Sequence, residues 1–169
     1  MTFVVPFDAS PLSTAALVRA VAFSRVLEVD VVALTVVPRD NARYAREKGW
    51  LASSEPFDLD AVVDTLREEV TAVRPDVAFE YELVGQYATR GTIAGRIRRR
   101  ATDLDASMVF VGSDNAGRLV SSLSTVGGTV AADDSYDVVI IRHVRPSTVE
   151  KLRELPEADD LEAALEGEE

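Results

Sequence analysis

The 169-residue sequence predicts an α/β domain: a doubly wound, Rossmann-like, five-stranded parallel sheet with helices on both faces. Three observations predict it. Strand-like and helix-like stretches alternate along the chain with short links, the pattern of consecutive βαβ units. Asp30 to Val37 (DVVALTVV) is apolar at nearly every position, as a strand covered on both faces must be. Met108 to Gly128 (MVFVGSDNAGRLVSSLSTVGG) reads as a strand, a loop of small polar residues and a helix start. Free N–H groups and the helix dipole make such a joint suited to an anion.

Taken in order, Thr2 to Pro6 is a short apolar strand that runs into Pro6-Phe7-Asp8-Ala9-Ser10-Pro11. Ser10 before Pro11 is an N-cap with proline at the first helical position. Leu17, Ala20, Val21 and Leu27 then follow at helical spacing. Asp30 to Val37 is the second strand. Arg39 to Pro56 is polar, contains the single tryptophan, Trp50, and reads as an insertion with a turn or two of helix. Trp50 anchors that insertion or lids a pocket.

Asp58 caps an amphipathic helix in which Leu59, Val62, Val63, Leu66, Val70 and Val73 share one face, and Arg74-Pro75 stops it. Val77 to Val84 alternates apolar residues with Glu80 and Glu82, which marks a partly solvated edge strand. Gly85 to Gly91 is a loop, and Thr92 to about Asp103 is a helix with Ile93, Ala94, Ile97 and Ala101 inward. The strand at Met108 to Val111 and its loop come next, and Asp137 to Val144 is the last strand. Pro146 ends the domain, so the division is residues 1–145 for the fold and 146–169 for an acidic C-terminal tail. Val149, Leu152 and Leu155 suit a short helix broken by Pro156, and residues 157–169, with seven acids and no base, read as disordered.

The net charge of −11 is unevenly spread: residues 1–145 carry −4 and residues 146–169 carry −7. That balance argues against nucleic acid, which needs clustered Lys and Arg. Arg96, Arg98, Arg99 and Arg100 form the one basic cluster, read as a solvated helix face or an attractor for nucleotide or the tail. Only 2 of the 18 basic residues are lysine, which salt adaptation and a GC-rich genome each produce. With no cysteine and one histidine, His143, the chain offers no thiolate metal site and suits a reducing compartment. No apolar run reaches membrane-spanning length, and residues 1–30 lack a signal-peptide pattern. The expectation is a cytoplasmic protein away from membranes.

At these residues the sequence resembles the universal stress protein family. Val4-Val5-Pro6-Phe7-Asp8-Ala9-Ser10 is similar to that family's first strand and turn, Val32 to Pro38 to its second strand, and Met108 to Ser113 to its fourth. Ser124-Thr125-Val126 and Val138 to Arg142 are similar to its closing helix start and fifth strand. The resemblance spans about residues 2–145. It implies the strand order 3-2-1-4-5 and a homodimer through the fifth strand, here 137–144, whose apolar edge calls for a cover. It also implies an ATP or AMP site drawn from Pro6, Asp8, Val36, Val111, Gly112, Asn115, Ser124, Thr125 and Val126. In that assignment Asp8 would hold a ribose, and Val36 and Val111 would line an adenine pocket.

The nucleotide motif departs from the family's Gly-x2-Gly-x9-Gly-Ser/Thr. Gly112 stands at the first position, Asn115 at the second, the loop is one residue short, and Ser124-Thr125 closes it. Asn115 tolerates positive φ, but a side chain at Ser124 crowds the backbone approach a phosphate needs. Each lost contact to a charged group weakens binding by about 1.5–3 kcal/mol. Two losses turn a micromolar site into one near about 1 mM or weaker.

Each candidate also has a plain structural role. Asp8 can simply satisfy N–H groups at the first helix, Val36 and Val111 can be core, and the serines can be caps and turns. Three functional readings follow. The first is a non-enzymatic stress-response module with an altered adenine-nucleotide site. The second is a dimer of the same fold acting as a protein-interaction platform without nucleotide. The third is a small phosphate-ester hydrolase built on Asp8, although the second aspartate of the phosphatase pattern is absent.

Overall fold

The computed structural model describes residues 1–112 and 135–145. Strands β1 (Thr2–Pro6), β2 (Asp30–Pro38), β3 (Ala78–Val84), β4 (Ala106–Gly112) and β5 (Asp137–Ile141) form one sheet. Its order is β3-β2-β1-β4-β5, and every neighbouring pair is parallel. Parallel neighbours require crossovers. Among the described residues these are α1 (Pro11–Leu27), α3 (Leu59–Val73) and α4 (Arg90–Asp103), with a short α2 (Ala42–Glu47) inside the β2–α3 connection.

Alternation along the strands sends side chains to two apolar clusters. On one face Phe3, Val5 and Phe110 meet Ala16, Leu17 and Ala20 of α1 and Val62, Leu66 and Val70 of α3. On the other, Val4, Leu34, Val109 and Val111 meet Ile93, Ala94, Ile97 and Ala101 of α4. The helices start where the sequence says they should. Ser10 Oγ accepts from Ser13 N at 3.2 Å, and Asp58 Oδ1 accepts from Ala61 N at 3.2 Å.

Two expectations need correction. Helix α4 begins at Arg90, inside the expected loop, because Thr89 Oγ1 caps it by accepting from Thr92 N at 3.2 Å. Strand β5 ends at Ile141, three residues before Val144. Past that point the His143 carbonyl accepts from Arg19 Nη2 at 2.8 Å, so it is turned to α1 and away from a strand ladder. Leu27 is half exposed at the end of α1.

The charged face of β3 is partly covered by α4. Strand β3 is an edge, as the alternation demanded, but Glu80 and Glu82 are only half exposed because α4 lies over them. Arg100 grips Glu80 with two bonds, Nε to Oε2 at 2.7 Å and Nη2 to Oε1 at 3.0 Å. Arg96 stands 3.7 Å from Glu82. The arginine cluster is therefore partly committed to holding α4 on its own strand. Charges along an exposed edge also discourage strand addition there.

Candidate functional site

All five strands run the same way, so their carboxyl ends share one rim, where open α/β sheets hold ligands. Pro6 pairs with Leu34, and Val4 pairs with Val109. Continuing those registers by two residues sets Pro6 beside Val111 and Asp8 beside Val36. Pro6, Asp8, Val36, Val111 and Gly112 are thus brought to one rim across the three central strands. Asn115, Ser124, Thr125 and Val126 lie outside the described residues, as do Ser113, Asp114 and the tail.

The turn after β1 is tightly specified. Thr35 Oγ1 donates to Phe7 O at 2.6 Å, and Phe7 N donates to Leu34 O at 2.9 Å, so β2 carries β1 one residue past its end. Ala9 then takes a left-handed conformation with φ 60°, a costly choice for a residue with a side chain. Asp8 N donates to the buried Ser13 hydroxyl at 3.3 Å. Ser10 N donates to Asp8 Oδ1 at 3.0 Å.

The insertion closes over this turn. Lys48, at the end of α2, donates through Nζ to Asp8 Oδ2 at 2.7 Å. Trp50 is 2 % exposed. Its Nε1–H donates to Asp8 O at 2.8 Å, and its ring meets Tyr44 edge-on at 5.6 Å between centroids. Trp50 is therefore an anchor, with an indole N–H that finds its polar partner. Nothing in the spacing of Asp8, Lys48 and Trp50 tied them together; the rarity of lysine and tryptophan in the chain was the only signal.

Burial pushes the Asp8 carboxyl up, but the Lys48 ammonium and the Ser10 N–H overcome this and hold it below the ordinary carboxylate value of 3.8. Burial pulls Lys48 down, and the Asp8 carboxylate outweighs it and raises Lys48 above 10.5. Burial raises the Tyr44 hydroxyl. The pair is charged across the neutral range, yet about a third of each side chain is exposed, so it contributes only about 0.2–1 kcal/mol.

Gly112 has a packing reason of its own. A Cβ there would drive into the Leu12 carbonyl and stand 2.7 Å from Ser13 N. Only glycine lets β4 end against the first turn of α1. Val36 and Val111 are both nearly fully buried in the cluster under α4. Among the described residues no group of three or more His, Cys, Asp or Glu side chains could hold a metal ion, and no helix is long and apolar enough to cross a membrane.

A doubly wound α/β module whose central strands deliver a carboxylate and a close-packed glycine to their carboxyl rim is what the fold and this region define. The universal stress protein family matches residues 1–142, and the chain belongs to that family. None of the curated proteins matches it.

Solved structures share its fold. A universal stress protein in complex with cAMP superposes with a TM-score of 0.55 at 20 % identity, covering 86 % of this chain and 98 % of that one. The universal stress protein UspA from Lactobacillus plantarum gives 0.56 at 19 % identity, covering 84 % and 97 %. A universal stress protein family member from Burkholderia pseudomallei gives 0.50 at 20 % identity, covering 84 % and 96 %. This chain is a universal-stress-protein-like module of that architecture.

Proposed function

We propose that this module binds an adenine nucleotide, AMP or ATP, at the carboxyl rim and responds to stress as a binding protein, without enzymatic turnover. The observation that carries the reading is the convergence of Asp8, Val36, Val111 and Gly112 on one rim of the central strands. Asp8 is the ribose acceptor, and the segment from Gly112 through Asn115 to Ser124, Thr125 and Val126 is the phosphate loop. The cAMP complex of a neighbour with the same fold is consistent with it.

Residues 1–145 are the binding domain and 146–169 an acidic appendage. The protein is cytoplasmic, pairs through β5 as a homodimer, and takes neither nucleic acid nor membrane as partner. Half-buried Val138, Val139 and Ile140 on that edge strand support the pairing. Light scattering that finds a monomer at every concentration contradicts it.

A specific observation favours the second reading, a dimeric interaction platform with no nucleotide. The Asp8 carboxylate is already engaged by Lys48 and Ser10, and Gly112 is explained by its contact with α1. A thermal-shift titration with AMP, ADP and ATP plus Mg²⁺ separates the two. With a Kd of about 1 mM, about 5 mM ligand still adds about 1 kcal/mol of stability. No shift with any of the three rules out the nucleotide reading and leaves the platform.

A further inference from the structure

The flank of α1 nearest β5 is open and apolar. Phe23, Val26 and Leu27 are 46 %, 78 % and 51 % exposed, and Ala22 beside them is exposed as well. At about 100° per residue these four fall in one sector of the helix. Phe23 sets its ring against Phe110 of β4 at 5.8 Å, which fixes that sector on the β4–β5 side. Helix α1 carries Arg19 and Arg25 and no acidic residue.

The chain leaves the sheet beside the head of this patch. One turn before Phe23, Arg19 Nη2 holds the His143 carbonyl at 2.8 Å, and Val144 next to it is half exposed. Residues 146–169 follow, with a net charge of −7. Their first apolar residues are Val149, Leu152 and Leu155, three apart and so on one helical face. From Arg19 to Leu27 the helix rises about 12 Å, and ten residues from Arg145 to Leu155 span about 15 Å if helical.

We propose that residues 146–155 dock on α1 of the same chain, with Val149, Leu152 and Leu155 covering Phe23, Val26 and Leu27. Exit point, length and apolar spacing favour this occupant. The docking segment itself is net neutral, with Glu150 and Glu154 against Lys151 and Arg153, and the apolar stripe on each side finds its counterpart. The more acidic residues beyond Pro156 stay at the periphery of the contact.

The chain has no cysteine, so a disulfide can report the contact without background. In the full chain, Leu27→Cys with Leu152→Cys is compared with Val18→Cys with Leu152→Cys; position 18 is exposed on the same helix, about 180° around its axis from Leu27. Docking predicts that the first pair forms an intrachain disulfide at least about tenfold faster, about 1.4 kcal/mol in relative barrier. Adding Val149→Asp and Leu155→Asp removes that preference while the far-ultraviolet spectrum stays unchanged. Equal rates for the two pairs overturn the proposal. So does a preference that survives the two aspartates, which would reflect the tether alone. Disulfides formed only between chains also overturn it, giving the patch to a second copy.

Discussion

The two rims of the sheet are built in opposite ways. At the amino rim a cleft of about 310 Å³ opens between the end of α1 and the start of β2 and β3, lined by Ser24, Arg25, Glu28, Arg74 and Asp76 among others. Its charges pair in solvent: Arg74 Nε meets Asp76 Oδ1 at 2.5 Å and Nη2 meets Oδ2 at 3.1 Å, with most of the Asp76 side chain exposed. At the carboxyl rim the region around Asp8 is occupied by the protein's own side chains, and its polar groups hold neighbouring backbone or one another. The open hollow is thus the chemically quieter end. A ligand at the other rim would exchange places with partners that are already arranged, Lys48 above all.

That contrast predicts a steep gradient of mutational cost. Trp50→Ala should be the most damaging, about 3–5 kcal/mol for a buried aromatic, together with loss of the Asp8 carbonyl's partner; denaturant unfolding measures it. Gly112→Ala should follow at about 1–3 kcal/mol of overpacking, because the added methyl meets α1 backbone and has no flexible side chain to displace.

Titration of Asp8 comes next. Its folded value is depressed, so its contribution is present above 3.8 and is lost as pH falls through the lower folded value. Lys48 is raised, so its contribution holds below 10.5 and fades as pH rises through its folded value. Melting temperature against pH should therefore fall at the acid end in the wild type and fall less in Asp8→Asn. At the amino rim Asp76→Asn should leave the melting temperature unchanged, since most of the Asp76 side chain is exposed and such a pair contributes little. A large loss there would erase the distinction between the rims.

Much of the fold was legible because its signals are local. Ser10-Pro11 and Asp58 announce their helices by capping chemistry, and the uniform apolarity of Asp30 to Val37 announces a doubly covered strand. One boundary failed on a local cap inside the expected loop and another where a distant group decides it. Thr89 moved the start of α4, and Arg19, far away in sequence, turned the chain out of β5. The site was legible only in part. Pro6, Asp8, Val111 and Gly112 sit at strand ends that periodicity locates, whereas Lys48 reaches Asp8 from forty residues away, out of an insertion that carries no spacing rule. Alternation marked β3 as a partly solvated edge, but it cannot reveal that Arg100 and Arg96 pair with Glu80 and Glu82.

Equilibrium dialysis of AMP against the wild-type protein and Asp8→Asn puts the carboxyl rim to the most direct test. The account predicts one nucleotide per chain with a Kd of about 1 mM, weakened at least about tenfold by the substitution. Absence of binding in the wild type, or equal binding in both proteins, would contradict it.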